Sequence, residues 1–276
     1  MAASSVQSLL SSLALRPAKA LGQNFLCDGN MAKVSVAMAQ LRAGDRVVEI
    51  GPGLGALTEQ LLAAGTEVHA VEIDGRLWTF LEKSLAPRFP GKFFLMRGDA
   101  VEFPFGDLCS SAPDAVVSNL PYAITGPWLD ALLRLPLPSG ITLLLQLEAI
   151  ERLSAPIHSR RRCAMGVRME AAFRIRATRK VPPQCFFPRP AVQSAIVHFR
   201  RLDSPHTFSG EALAVMRHCF QMRRKQVGTS CRAIGDEPLR ALADRWLTDH
   251  GAAINPKCRP EDLTLGQWLR LEELRS

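Results

Sequence analysis

The stretch Arg46–Glu59, RVVEIGPGLGALTE, does most to limit what this chain can become. A short apolar run stops at glycines spaced by single residues, and a helix-like pattern begins directly after them. That order is strand, tight turn, helix. Gly51, Gly53 and Gly55 take positive φ without Cβ strain, and they let a ligand come close to the backbone where the new helix offers unpaired N–H groups. Gly51, Gly53 and Ala56 also satisfy the pattern G-x-G-x-x-G/A, so the turn by itself suits a nucleotide-type ligand of several classes, NAD and FAD included. A purely structural βα turn would use the same residues.

A chain of 276 residues has room for one large α/β domain, or for one such domain with a smaller helical one. No apolar run approaches the ~18 residues that a membrane-spanning helix needs, which predicts a soluble protein. The seven cysteines are scattered, with no C-x-x-C pair, arguing against a zinc site or a disulfide framework and for a reducing, cytoplasmic setting. The formal net charge of +8 points to a polyanionic partner, because basic surface attracts phosphate backbones whatever their sequence. Met1–Arg16 has the Ser- and Ala-rich, acid-free composition of a transit peptide but only one Arg. Its Val6, Leu9, Leu10 and Leu13 fall at helical spacing and predict a short amphipathic helix packed on the domain.

Further along, RPAKALGQNFLCD (Arg16–Asp28) carries two cations and then Gln23 and Asn24 between Leu21 and Phe25, a pattern that suits either a lid over a pocket or a loop with turn-forming amides. Met31–Leu41 reads as an amphipathic helix ending near Gly44, and Leu57–Ala64 as a helix ending at Gly65. Strands are predicted at Arg46–Ile50, Glu67–Ile73, Lys92–Arg97, Ala115–Ser118 and Ile141–Leu147. Their alternation with helices implies a parallel sheet with right-handed crossovers and a ligand at the carboxyl ends of the strands. Glu72, Asp99 and Asn119 all stand at such ends. Glu72 follows Gly51 by about the twenty residues expected of an acid that accepts ribose hydroxyls.

Asn119-Leu120-Pro121-Tyr122 contains the only tyrosine of the chain. An amide, a carbonyl held by the stiff Leu-Pro link and an aromatic ring supply acceptors and a stacking plate for an extruded base with an exocyclic amine. A turn with its Tyr capping the core would look the same.

Taken in order, GQNFL (Gly22–Leu26), VVEIGPGLGALT (Val47–Thr58), AVEID (Ala70–Asp74), GDA (Gly98–Ala100), NLPYAIT (Asn119–Thr125), ERLSA (Glu151–Ala155), VPPQCFFPRPAVQSAIV (Val181–Val197) and FQMRRKQ (Phe220–Gln226) resemble the ribosomal RNA adenine N6,N6-dimethyltransferases. The resemblance spans nearly the whole chain, and RPEDLTLGQWLRL (Arg259–Leu271) is similar to the family's C-terminal helix. It implies a Rossmann-like class I S-adenosylmethionine-dependent methyltransferase over residues 1–205, with an N-terminal helix and lid in residues 1–30, and a small helical domain over residues 206–276. It further implies contacts to S-adenosylmethionine from Asn24, Leu26, Gly51, Glu72, Asp99 and Asn119. By the same resemblance Asn119 and the Leu120 carbonyl engage the adenine amine, Tyr122 and Phe186 sandwich the base, and no metal takes part. The implied reaction is dimethylation of two adjacent adenosines in a hairpin near the 3′ end of small-subunit (16S) rRNA, on a 30S precursor, by a monomer. The sister large-subunit adenine methylases and a non-catalytic assembly factor are the rival readings.

Four places depart from the family pattern. Gln146-Leu147-Glu148 replaces Gln-Lys-Glu, Arg162-Cys163 replaces Tyr-Gly, Gln193 replaces an aspartate, and Thr125-Gly126-Pro127 replaces Thr-Thr-Pro. Cations concentrate in the second half, where Arg160, Arg161, Arg162, Arg223, Arg224 and Lys225 are expected to contact RNA phosphates. Helical runs at Glu211–Met222, Pro238–His250 and Gln267–Leu274 carry no chemistry of their own and suit docking or structural support.

Overall fold

A computed structural model describes residues 3–15, 23–108 and 111–275, so the two leading cations of the lid stretch, with Leu21 and Gly22, lie outside the described residues. The chain forms two compact units. One is Met1–Ile150 with Ile175–Arg201, the other Glu151–Arg174 with Leu202–Ser276.

The first unit is built on a sheet whose strands are β1 (Arg46–Ile50), β2 (Glu67–Glu72), β3 (Phe93–Arg97), β4 (Ala115–Ser118), β5 (Gly140–Gln146), β6 (Phe173–Val181) and β7 (Ser194–Arg201), in the spatial order 3-2-1-4-5-7-6. Strands β1 to β5 pair in parallel, Val47 standing opposite both Val68 and Ala115. β7 then runs antiparallel to β5, with Gly140 opposite Arg200 and Gln146 opposite Ser194, so the sheet is mixed rather than wholly parallel. The sequence hides this because the direction of β7 is set by pairing with a strand some fifty residues away, and because its edge neighbour β6 is almost entirely exposed and cationic and shows no apolar alternation.

β1 can sit inside the sheet, between β2 and β4, because Val47, Val48 and Ile50 are all buried, as a strand covered on both faces requires. Helix α1 (Ala3–Ser12) buries Val6 and Leu10 against Phe25, Leu54 and Leu77, as its spacing predicted; each such side chain contributes about 1.5–3 kcal/mol. Helix α2 (Gly29–Ala39) starts earlier than the apolar pattern suggests because Asp28 caps it, accepting from the N–H groups of Asn30 and Met31. Helix α3 (Ala56–Ala63) has no such cap. Gly55 precedes it at φ +81°, and no side chain takes its first N–H groups.

The helical unit packs α7 (Ala164–Ala172), α8 (Gly210–Gln221), α9 (Val227–Arg232), α10 (Glu237–Thr248) and α11 (Leu265–Glu273), following α4 (Gly75–Ser84), α5 (Thr125–Leu132) and α6 (Leu147–Leu153) in chain order. Its core is Val167, Val215, Met216, Phe220, Trp246, Trp268 and Leu271, with the Trp246 and Trp268 rings stacked at 5.0 Å. Val167 in that core explains why Glu151–Arg174 belongs to this unit instead of to a first domain ending at residue 205.

Candidate active site

The turn after β1 is held open by its backbone. Gly51, Gly53 and Gly55 have φ of +65°, +59° and +81°, in the left-handed region that a side chain disfavours. A Cβ on Gly53 would stand 3.2 Å from the Phe25 ring, so the turn also depends on the segment that crosses it. Phe25–Leu26 forms a two-residue antiparallel strand with Phe186–Phe187, and the Cys27 N–H donates to the Cys185 carbonyl at 2.7 Å.

Under this segment lies a cavity of about 260 Å³. Asn24, Leu26, Gly51, Glu72, Asp99, Asn119, Leu120 and Tyr122 all line it, so eight positions spread from residue 24 to residue 122 converge on one space at the carboxyl ends of β1 to β4. Three of its side chains are carboxylates, Glu49, Glu72 and Asp99, and none of the described residues lining it is cationic.

Glu72 is buried at the tip of β2. Its Oε2 accepts from the Gly53 N–H at 3.2 Å and its Oε1 from the Asp74 N–H at 2.9 Å. Burial pushes its carboxyl above the usual range, and those backbone donors oppose the shift. Asp99 accepts from the Val101 N–H at 2.8 Å.

Asn119 ends β4, and its amide nitrogen donates to the Asn24 carbonyl at 2.9 Å. The donor end of the amide is thereby committed, which leaves the oxygen as the acceptor it can offer. Tyr122 opens a short 3₁₀ turn, and its phenol shares a 2.8 Å hydrogen bond with the Ser194 hydroxyl. Burial pushes the phenol pKa up, and the bond to Ser194 pulls it down.

Phe186 is not brought to this cavity. It is 2% exposed and belongs to the core, where its strand backs Leu26. Pairing with Phe25–Leu26 alternates the two side chains of this strand, and it is Phe187 that packs beside Phe25 instead. Two further residues emerge that sequence reasoning passed over. Glu49 lines the cavity from within β1, and its signal was an acid inside a strand buried on both faces. Ser194 lies 72 residues from Tyr122 and gave no local signal.

The departures from the family pattern also find places. The Leu147 N–H donates to the Gln193 carbonyl at 2.9 Å, so two of them are joined, immediately beyond the Gln146–Ser194 pair. Arg162 is 2% exposed; it donates to the Ala155 carbonyl at 3.0 Å and meets the Glu170 carboxylate at 2.9 Å without hydrogen-bond alignment. A guanidinium so enclosed is closed to RNA, which removes Arg162 from the expected phosphate contacts. The other cations converge within the helical unit. The Arg223 guanidinium donates to the Arg160 carbonyl, Arg161 pairs with Glu151, and Arg160, Arg224 and Lys225 are exposed.

The ribosomal RNA adenine dimethylase model matches residues 15–275. The chain belongs to the ribosomal RNA adenine dimethylase family. It is thus an S-adenosylmethionine-dependent rRNA methyltransferase, as its motifs imply. Among similar proteins, ribosomal RNA small subunit methyltransferase A of Opitutus terrae is 43% identical, the match covering 96% of this chain and 95% of that one. The protein of the same description from a Synechococcus species is 36% identical over 92% of this chain and 94% of its own. Two solved structures share the dimethylase fold. A dimethyladenosine transferase from Plasmodium falciparum superposes with a TM-score of 0.71 at 22% identity, covering 90% of this chain and 95% of that one. The 23S rRNA methyltransferase ErmE gives 0.60 at 26% identity, covering 91% and 99%.

Proposed function

We propose that this chain transfers methyl groups from S-adenosylmethionine to the N6 amines of two adjacent adenosines in a hairpin near the 3′ end of small-subunit (16S) rRNA. It acts on a 30S precursor, as a monomer, in the cytoplasm. The observation that carries the reading is the tethered Asn119 amide beside Tyr122 on the wall of a carboxylate-lined cavity.

The cavity suits the cofactor on its own chemistry. The glycine turn leaves room against the backbone, Glu72 stands where ribose hydroxyls would donate, Asp99 where an adenine amine would, and Asn24, Leu26 and Gly51 close the remaining wall. When bound, the sulfonium supplies an already activated methyl group. The chain's task is then orientation. The Asn119 oxygen and the Leu120 carbonyl accept from the N–H groups of the target amine, which favours the pyramidal nitrogen that attacks in line. Tyr122 stacks on the base, a contact worth ~1–3 kcal/mol. Phe186, buried behind Leu26, supports the lid strand instead of forming the second plate.

The deciding experiment incubates the protein with labelled S-adenosylmethionine and either small or large ribosomal subunits lacking the modification, followed by nucleoside mass spectrometry. N6,N6-dimethyladenosine at two neighbouring positions of the small subunit is expected, with Asn119→Ala abolishing it. Label in large-subunit rRNA alone would assign the chain to the sister reading, and no label in either would leave the non-catalytic one.

A further inference from the structure

Outside the cavity, positive charge concentrates on one edge of the sheet. Strand β6 pairs only with β7, so its outer side has no strand partner. Arg174 to Lys180 are all exposed along it, and four of those seven residues are cations with no acid among them. On the neighbouring β7, Arg200 is exposed as well. None of Arg176, Arg179, Lys180 and Arg200 pairs with a carboxylate among the described residues. By contrast, the same unit pairs Arg46 with Asp114, Arg88 with Glu59 and Lys92 with Glu67. The cations also act on a common neighbour. Burial, first, and then Arg200 and Arg176 hold the His198 pKa below its ordinary value, so both guanidiniums lie near one imidazole of β7.

Charges on an edge strand keep sheets from joining edge to edge, and one or two suffice for that. A longer row without acids repels itself and costs stability, which a polyanion would relieve. The shape of the row selects the polyanion. Alternate residues of a strand lie about 6.7 Å apart, so Arg174 to Lys180 span about 20 Å, a line instead of a point. A lone phosphate would meet one or two of these cations, whereas an RNA backbone meets them in succession, and its oxygens also accept from the N–H groups of an open strand edge. We infer that β6, with Arg200 beside it, is an RNA-contact surface of the methyltransferase unit, tracking the phosphate backbone of rRNA whatever its sequence and adding to the cations of the helical unit. It holds whichever ribosomal subunit supplies the target adenosines.

The test is a salt titration of the binding of the full chain to labelled small- and large-subunit rRNA and to assembled subunits. Wild type is compared with Arg176→Gln/Arg179→Gln/Lys180→Gln, with the charge-keeping Arg176→Lys/Arg179→Lys/Lys180→Arg, and with Lys33→Gln/Arg42→Gln/Lys83→Gln, which removes as much exposed charge from elsewhere in the same unit. The β6 Gln variant should lose about 2 from the slope of log affinity against log salt, about a hundredfold in rRNA affinity near 0.1 M salt. The other two should stay near wild type, and all should keep their affinity for S-adenosylmethionine. The single variant Arg179→Gln, losing about 0.8 from the slope, keeps the idea testable if the triple one does not fold. An unchanged slope in the β6 variant, or an equal loss in the variant altered elsewhere, would overturn this surface. Self-association of the β6 variant with rRNA affinity intact would do the same and assign the row to guarding the edge. A loss confined to assembled subunits would also overturn it, in favour of a ribosomal protein as the partner.

Discussion

Glu49 and Tyr122 show how single residues carry the chemistry of this cavity, and each has a consequence that does not require ligand. In the ligand-free protein the Glu49 pKa lies near 8, above its unfolded value, so the folded state binds this proton more tightly. Its favourable contribution is complete below about pH 4.5 and is lost as pH rises to about 8. Glu49→Gln should therefore leave the melting temperature almost unchanged at pH 5 and raise it by several degrees at pH 8.5, a difference on the order of a few kcal/mol that scanning calorimetry would read. Equal shifts at both values would mean that the carboxyl is already ionised at pH 5. Tyr122 can be followed directly, since it is the only tyrosine and its phenolate absorbance reports one residue. Burial holds that phenol above the ordinary range while Ser194 pulls it back. In Ser194→Ala the apparent pKa of the absorbance titration should move higher still. A fall, or no change, would show that the ring is not held by this hydroxyl.

Between residues and whole chain, the working element is the glycine turn with the strand segment that crosses it. Gly53 and Gly44 make a controlled comparison, since both have positive φ, yet a Cβ on Gly53 would press the Phe25 ring at 3.2 Å whereas one on Gly44 would meet nothing within 4 Å. Each Ala substitution incurs the left-handed backbone penalty of about 1–2 kcal/mol. Only Gly53→Ala should also displace the Phe25–Leu26 strand, and S-adenosylmethionine affinity should drop about tenfold or more in that variant alone, as measured by calorimetry. These elements were legible in the chain because their physics is local. A central strand buried on both faces, a glycine turn and an acid one crossover later define β1, α3 and β2 by their periods, and Glu72, Asp99 and Asn119 by their places at strand ends. What stayed hidden depends on distant pairing. β7 inserts antiparallel between β5 and β6, Ser194 reaches a phenol 72 residues away, and Phe186 turns into the core because its strand pairs with Phe25–Leu26. The cationic triplet Arg160–Arg162 likewise reads as one patch, whereas a helical unit that encloses Val167 also encloses one member of the triplet.

For the molecule as a whole, the net charge of +8 matters through where its cations can reach. In the helical unit, Arg160, Arg224 and Lys225 are exposed and carry no ion pair among the described residues, while Arg161 is paired with Glu151 and Arg162 is enclosed. Binding to rRNA should weaken linearly on a log–log plot against salt, each phosphate contact contributing about 0.7–0.9 to the slope. Replacing Arg160, Arg224 and Lys225 together by Gln should reduce the magnitude of that slope by about 2, with the melting temperature unchanged, because exposed unpaired cations add little to stability. Arg162→Ala should do the opposite. Removing a buried guanidinium strands the Ala155 carbonyl and Glu170, costs about 2–3 kcal/mol and lowers the melting temperature by about 5 °C or more, while the slope stays within error of wild type. The two variants separate a charge that tracks phosphate from one that holds helices together. If the triple variant kept the wild-type slope, RNA would have to be gripped by another face, and the exposed row Arg174, Arg176, Arg179 and Lys180 on β6 would be the next to replace.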